Sequence, residues 1–179
     1  MKTLQNITKT LLIAASFFAV ASCSKDDDNN NQVPVTPVPA NTSFVTATVD
    51  GAAFTSILFG TSIASASRSG SGDMTLIQVL GSNFSADNIA LNLLGITTTG
   101  TYTIDPSIDG SVMAFTPGSG GVSYSTGECS GSGGTLIVTA IDNTKIEGTF
   151  SFTGKDVDNC ESSATKTVTN GTFKGVFVN

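Results

Sequence analysis

The sequence contains no histidine and no tryptophan, only three cysteines, and few charges: Asp, Glu, Lys and Arg make up 12% of its 179 residues. Without histidine there is no Ser-His-Asp or Cys-His pair and no imidazole ligand for zinc, and three cysteines are too few for an all-cysteine tetrahedral site. Eight Lys and Arg stand against fourteen Asp and Glu, a formal net charge of −6, so a basic groove for nucleic acid is excluded as a partner surface. A core built without tryptophan must come from Phe, Leu, Ile and Val. What fills the chain is Gly, Thr, Ser and scattered Phe, a composition that suits pleated, half-buried strands. No cofactor and no catalytic activity are expected from these residues.

The first 43 residues differ from the rest. Lys2 and Lys9 precede Leu11 to Val20, ten uncharged and almost wholly apolar residues. As a helix these would span about 15 Å, half of a bilayer core of roughly 30 Å, which points to a cleaved signal peptide over residues 1–22 and not to a membrane span. The run Val20-Ala21-Ser22-Cys23 resembles the bacterial lipobox, with Val20 where Leu is more usual. That resemblance implies that Cys23 carries lipid; the alternative is a free or disulfide-bonded cysteine beside an ordinary cleavage site. More than one acyl chain is needed for stable anchoring, and the modification implied here supplies two or three. Ser24, Lys25, Asp26, Asp27 and Asp28 follow, and an acidic run behind a lipidated cysteine resembles the export signal of surface lipoproteins of Bacteroidota; a plain solvated charge run is the alternative. Pro34, Pro37 and Pro39 favour extended geometry, so residues 23–43 are expected to be a disordered tether, with a single domain over residues 44–179.

Beyond Ser43 short runs of β-branched and aromatic residues alternate with turn residues, and no window sustains a helical period. The fold class expected is all-β, an antiparallel sandwich of about ten strands, with a flattened barrel as the alternative. Asp50-Gly51 suits a tight hairpin between Phe44–Val49 and residues 52–56, and Asn170-Gly171 suits either a second hairpin or a bulge. Ile57–Ile63, Met74–Leu80, Asn88–Leu94, Thr101–Ile104, Ser111–Phe115 and Gly121–Ser125 read as strands, while the Ser- and Gly-rich segments 65–72 and 117–121 read as mobile loops. Thr135–Ile141 and Ile146–Thr153 flank a reversal that pairs Ile141 with Ile146. In that register Ile137 faces Phe150 and Thr135 faces Phe152, so Ile137, Ile141, Ile146, Phe150 and Phe152 share a buried face and Glu147 points outward.

Four phrases, Thr48-Val-Asp-Gly-Ala-Ala-Phe54, Gly100-Thr-Tyr-Thr-Ile104, Ile146-Glu-Gly-Thr-Phe-Ser-Phe-Thr153 and Val168-Thr-Asn-Gly-Thr-Phe-Lys-Gly175, together resemble a group of small, uncharacterised, all-β lipoproteins of Bacteroidota classed as domains of unknown function. The resemblance implies a β fold and an envelope location, and brings no catalytic or ligand residue with it.

With Cys23 assigned to lipid, Cys129 and Cys160 remain as a pair in a compartment that permits disulfides. The hairpin register places Cys129 opposite position 158, two residues from Cys160, so a bond would clamp the open end of the hairpin; free thiols or a redox pair are the alternatives. Asp156, Asp158 and Glu161 crowd the same loop and are weak candidates for Ca²⁺, set against a plain solvated acidic loop. Glu128 and Glu161 flank the cysteines and read as loop charges. Tyr102 and Tyr124, with Phe59, Phe84 or Phe115, form either an aromatic platform for a sugar or core filling. The function expected is a lipid-anchored, exterior-facing module of the outer membrane that binds or supports without catalysis, its partner a membrane through the lipid and, beyond that, an unspecified protein or glycan. The second reading is a glycan- or small-ligand-binding accessory of an uptake system, and a hydrolase comes last.

Overall fold

The computed structural model describes residues 40–107 and 110–178. Its strands are β1 (Phe44–Val49), β2 (Ala52–Thr55), β3 (Ile57–Leu58), β4 (Thr61–Ser62), β5 (Ala64–Ser69), β6 (Leu76–Ser82), β7 (Asn88–Leu94), β8 (Gly100–Ile104), β9 (Val112–Thr116), β10 (Tyr124–Ser125), β11 (Gly133–Ile141), β12 (Lys145–Asp156) and β13 (Thr165–Val176). The one helical element among the described residues is a single 3₁₀ turn, Gly72–Met74. The all-β expectation holds, with more strands than the sequence implies.

All strands except the small β3–β4 hairpin belong to one antiparallel sheet that folds over itself into two layers. The first layer runs β2-β1-β13-β12-β11-β8, and the second runs β10-β9-β7-β6-β5. They join because β12 is twelve residues long: β11 takes its edge from Ile146 to Thr153, and β10 takes the last two residues, Lys155 and Asp156. From that corner the second layer crosses the strands of the first. Ser62, just before β5, bonds the carbonyl of Ser43; Ala66 lies over Gly175 of β13; Arg68 Nη1 reaches the carbonyl of Asp142 in the β11–β12 turn at 3.0 Å. Between the layers lie Val45, Ile77, Val79, Leu91, Leu93, Met113, Leu136, Ile146, Phe150, Phe152, Val168 and Phe173. Phenylalanine supplies the bulk, and glycines on neighbouring strands make room for it: Phe150 pairs with Gly171, Phe152 with Gly134 and Phe173 with Gly148. A methyl at Gly148 would meet the Phe173 ring at 2.9 Å and the Ile137 carbonyl oxygen at 2.0 Å.

The first hairpin forms as read. Asp50 and Gly51 sit at φ 47° and 85°, the two left-handed residues that a type I′ turn requires, and Val49 pairs with Ala52. Three other expectations are corrected, and the choice left open at Asn170-Gly171 is decided. Ile141 does pair with Ile146, but Thr139 is an extra residue in β11: Val138 opposes Gly148 and Ala140 opposes Glu147. The bulge shifts every earlier partner by one, so Leu136 faces Phe150, Leu136 and Val138 enter the core, and Ile137 turns outward, 40% exposed. Of the two readings of Asn170-Gly171, the structure has the bulge: it lies inside β13, with Asn170 at φ 52°. There Thr48 pairs with Thr169 and Thr46 with Thr172, which lets Val168 and Phe173 share the buried face although they are an odd number of residues apart. Residues 65–69 of the segment 65–72, read as a mobile loop, belong to the edge strand β5, because β6 supplies the backbone partners and an edge tolerates serine on its outer face. Residues 57–63, read as one strand, are broken by Phe59 and Gly60 at φ 49° and 79° into a two-residue turn between β3 and β4.

Candidate functional site

Cys23, Ser24, Lys25, Asp26, Asp27 and Asp28 lie outside the described residues. Cys129 and Cys160 are disulfide-bonded, with Cα atoms 5.1 Å apart. The bulge at Thr139 moves the register so that the ladder, which pairs Gly133 with Thr153, extrapolates Cys129 onto Val157 instead of position 158. The bond reaches Cys160 because the chain leaves the ladder after Asp156 and turns back through hydrogen bonds from Asn159 N–H to the Asp156 carbonyl and from Ser162 N–H to the Asn159 carbonyl. Lys155 straddles the clamp, its Nζ donating to the carbonyls of Ser130 at 3.2 Å and Cys160 at 3.1 Å.

The acidic loop beside this clamp does not build a cation site. Asp156 Oδ1 accepts the N–H of Asp158 at 2.9 Å, and no group of three or more metal-ligating side chains, Asp156, Asp158 and Glu161 included, converges among the described residues. Glu128 and Glu161 are exposed in loops, as read. Glu147 is on the outer face and lies between two lysines, 2.9 Å from Lys145 Nζ and 3.1 Å from Lys174 Nζ; the bond from Lys145, with help from Lys174 and against partial burial, holds its carboxyl below the ordinary value.

The aromatic residues do not form one platform. Phe115 is in the core, and Tyr102 and Tyr124 pack against it. Tyr102 Oη donates to the Thr98 carbonyl at 2.8 Å, and the Tyr124 ring lies 5.8 Å below Lys166 Nζ. Phe59 and Phe84 alone stand in solvent, each at the tip of a turn.

What the strands do assemble is a hydroxyl face on the outside of the first layer. One cross-strand row runs over all six strands: Thr55, Thr46, Thr172, Thr149, Ile137 and Thr101, each paired with the next. Adjacent members are roughly 4.8 Å apart along the row, as strand spacing dictates. Thr48 and Thr169 pair in the next row, as do Ser151, Thr135 and Thr103. Where the β13 bulge bends the sheet, the face opens into a shallow groove of about 540 Å³ lined by Thr135, Ile137, Thr149, Ser151, Asn170 and Thr172 among others, without a charged side chain. The sequence signal for this face was threonine at every second position, as in Thr46 and Thr48, Thr101 and Thr103, and Thr167 and Thr169. That periodicity marks an outer face; only the pairing shows that the separate faces are one.

The domain's first described residues are tied to one end of this layer. Lys174 Nζ donates to the Ala40 carbonyl at 2.6 Å, Val176 N–H to Ser43 Oγ at 2.9 Å, and Ser62 Oγ to the Ser43 carbonyl. Here β1 begins and β13 ends, with the β11–β12 turn and the β3–β4 hairpin alongside. The disulfide and the acidic loop are at the opposite end.

Comparison with curated proteins gives no match, and comparison with solved structures gives none. Residues 41–179 match a family described as a domain of unknown function (DUF6252), and since that span is the greater part of the sequence, the chain belongs to this family.

Proposed function

We propose that this protein is a lipoprotein anchored through Cys23 on the exterior of the outer membrane, and that its β domain is a non-catalytic binding or structural module. The anchor rests on the lipobox-like Val20-Ala21-Ser22-Cys23 and the acidic Ser24 to Asp28 behind it. The observation that carries the binding role is the six-strand hydroxyl face. It offers many weak donors and acceptors interleaved with methyl groups over a broad area, which suits contact with an extended, uncharged partner. Asp50, Asp105, Asp142 and Glu147 are all held below their ordinary values by local hydrogen bonds, so none of these four is raised toward neutrality as a general acid or base would be.

Fractionation of cells carrying Cys23→Ala tests the anchor. The wild-type chain sediments with membranes and is released by protease added to whole cells, while the variant is soluble; a variant that still sediments contradicts the assignment. The second reading, a glycan- or small-ligand-binding accessory of an uptake system, is favoured by the uncharged groove at the β13 bulge. It predicts binding to neutral glycans on an array, lost in Thr149→Arg and Thr172→Arg. Equal binding by both variants, or none by the wild type, rejects it.

A further inference from the structure

Three of the large apolar side chains left in water, Phe59, Ile63 and Phe84, lie where the chain enters the domain. Phe59 is fully exposed at 101% on the β3–β4 turn, and Phe84 is 81% exposed on the turn between β6 and β7. These turns share a corner: Ser82 N–H at the end of β6 donates to the carbonyl of Ile63, the residue that leaves the β3–β4 hairpin and is itself 43% exposed. Ser62 in that hairpin holds the carbonyl of Ser43, so the residues following the tether are fixed to the same corner. Phe59 also occupies a left-handed φ of 49°, where Gly, Asn or Asp is the usual choice. Single exposed apolar residues are common on proteins; three at one corner, two of them aromatic turn tips, mark a contact surface.

Charge is divided in the same sense. The near end, with its turns, carries Arg68, Lys145 and Lys174 against Asp73, Asp87, Asp142 and Glu147. The far end carries Asp50, Asp105, Glu128, Asp156, Asp158 and Glu161 against Lys155 and Lys166 only. An anionic surface would repel the far end more strongly than the near end.

Resting on the reading of Cys23 as a lipid anchor, we infer that the corner made by Phe59, Ile63 and Phe84 inserts into the surface of the bilayer that holds the anchor. The occupant of this corner is lipid, at the level where headgroups meet acyl chains, a depth that suits exposed aromatic rings. Residues 24–39 give the tether a reach of at most about 53 Å at roughly 3.3 Å per residue, so it does not impose an orientation by itself. It does keep the domain at a high effective concentration above the membrane, where a contact too weak to recruit a free protein suffices to orient a tethered one. The acidic, disulfide-clamped end then faces away from the membrane.

The absence of native tryptophan supplies the test. Phe59→Trp, Phe84→Trp and, at the far end, Ser163→Trp each place one fluorophore in the mature, lipid-modified chain, reconstituted into phosphatidylcholine vesicles with and without brominated acyl chains. Flotation of the vesicles reports the anchor independently. The inference predicts blue-shifted emission and strong bromine quenching for Phe59→Trp and Phe84→Trp, and neither for Ser163→Trp. Chains that float with vesicles but show equal, unquenched emission at all three sites overturn the orientation and leave the anchor standing; chains that do not float overturn both. A blue shift at Phe59→Trp or Phe84→Trp that needs no vesicles and grows with protein concentration assigns the corner to a second copy of the chain, and also overturns the inference.

Discussion

The two ends of the β domain are held by different chemistry. At the far end the chain leaves the ladder early, the loop after Asp156 is acidic and largely exposed, and a covalent bond between Cys129 and Cys160 ties it down, with Lys155 bridging the two sides. At the near end backbone and hydroxyl groups suffice: Ser56 Oγ, fully buried, accepts the N–H of Val45 at 2.8 Å, and Ser43 and Ser62 fasten the start of β1. The difference follows from what each end has to bury. The near end closes over Val45, Ile146 and Phe173, where a buried polar group must be paired but apolar packing does the holding. At the far end the loop of residues 157–163 contributes no buried apolar side chain, so restricting the unfolded chain is the more effective way to order it.

Breaking the far end should have the largest effect. Replacing Cys129 and Cys160 by serine opens a loop of 31 residues and should cost about 3–4 kcal/mol in the chain-entropy account, read as a lower urea midpoint. Hydrogen exchange should quicken at the β10–β12 pairing and the start of β13, while the amides of Val45 and Val176 keep their protection relative to global unfolding. Equal loosening of both ends would erase the contrast. Next in size is the core between them. Gly148→Ala drives a methyl into the Phe173 ring and the Ile137 carbonyl, and overpacking of this kind costs about 1–3 kcal/mol; a thermal midpoint unchanged from wild type would show that the glycines opposite phenylalanine are incidental.

Ser56→Ala sharpens the comparison from the near side. It strands the Val45 N–H in a fully buried position, a loss of about 1–2 kcal/mol, and should free exchange at Val45 without affecting the disulfide loop. The smallest effect is expected from Asp50→Asn at the far-end turn, where asparagine keeps the left-handed backbone and removes the charge. The Asp50 carboxyl is held below its ordinary value by Lys166 Nζ at 2.8 Å and then by the Thr167 N–H, so its contribution is present above roughly pH 4 and lost as pH falls through the lowered value. Because the pair is partly exposed, the difference should stay below about 1 kcal/mol near neutrality and vanish in strong acid; a wild type and variant with parallel acid limbs would contradict it.

Local chemistry was the part of the fold legible in the sequence. Asp50-Gly51 specifies its turn because few other pairs tolerate two left-handed residues, and the alternating Ile89, Leu91 and Leu93 specify β7 because one face has to be buried. The Thr139 bulge was not legible: a period-two reading carries Ile137 inward, and nothing in the residues shows where one extra position enters. Nor was β5, since Ala64-Ser-Ala-Ser-Arg-Ser69 has no apolar stripe and becomes a strand only because β6 offers an edge and Gly175 leaves room for Ala66. The cysteine pair was legible from parity and approximate register. The hydroxyl face was not, because joining Thr55, Thr46, Thr172, Thr149 and Thr101 into one row depends on a strand order that places residues far apart in sequence side by side.

The account depends most on what is attached to Cys23, and mass spectrometry of the mature chain from cell envelopes measures it directly. The predicted result is an amino-terminal peptide that begins at Cys23 and carries thioether-linked diacylglycerol. A mature chain recovered in the soluble fraction with an unmodified amino terminus would contradict it.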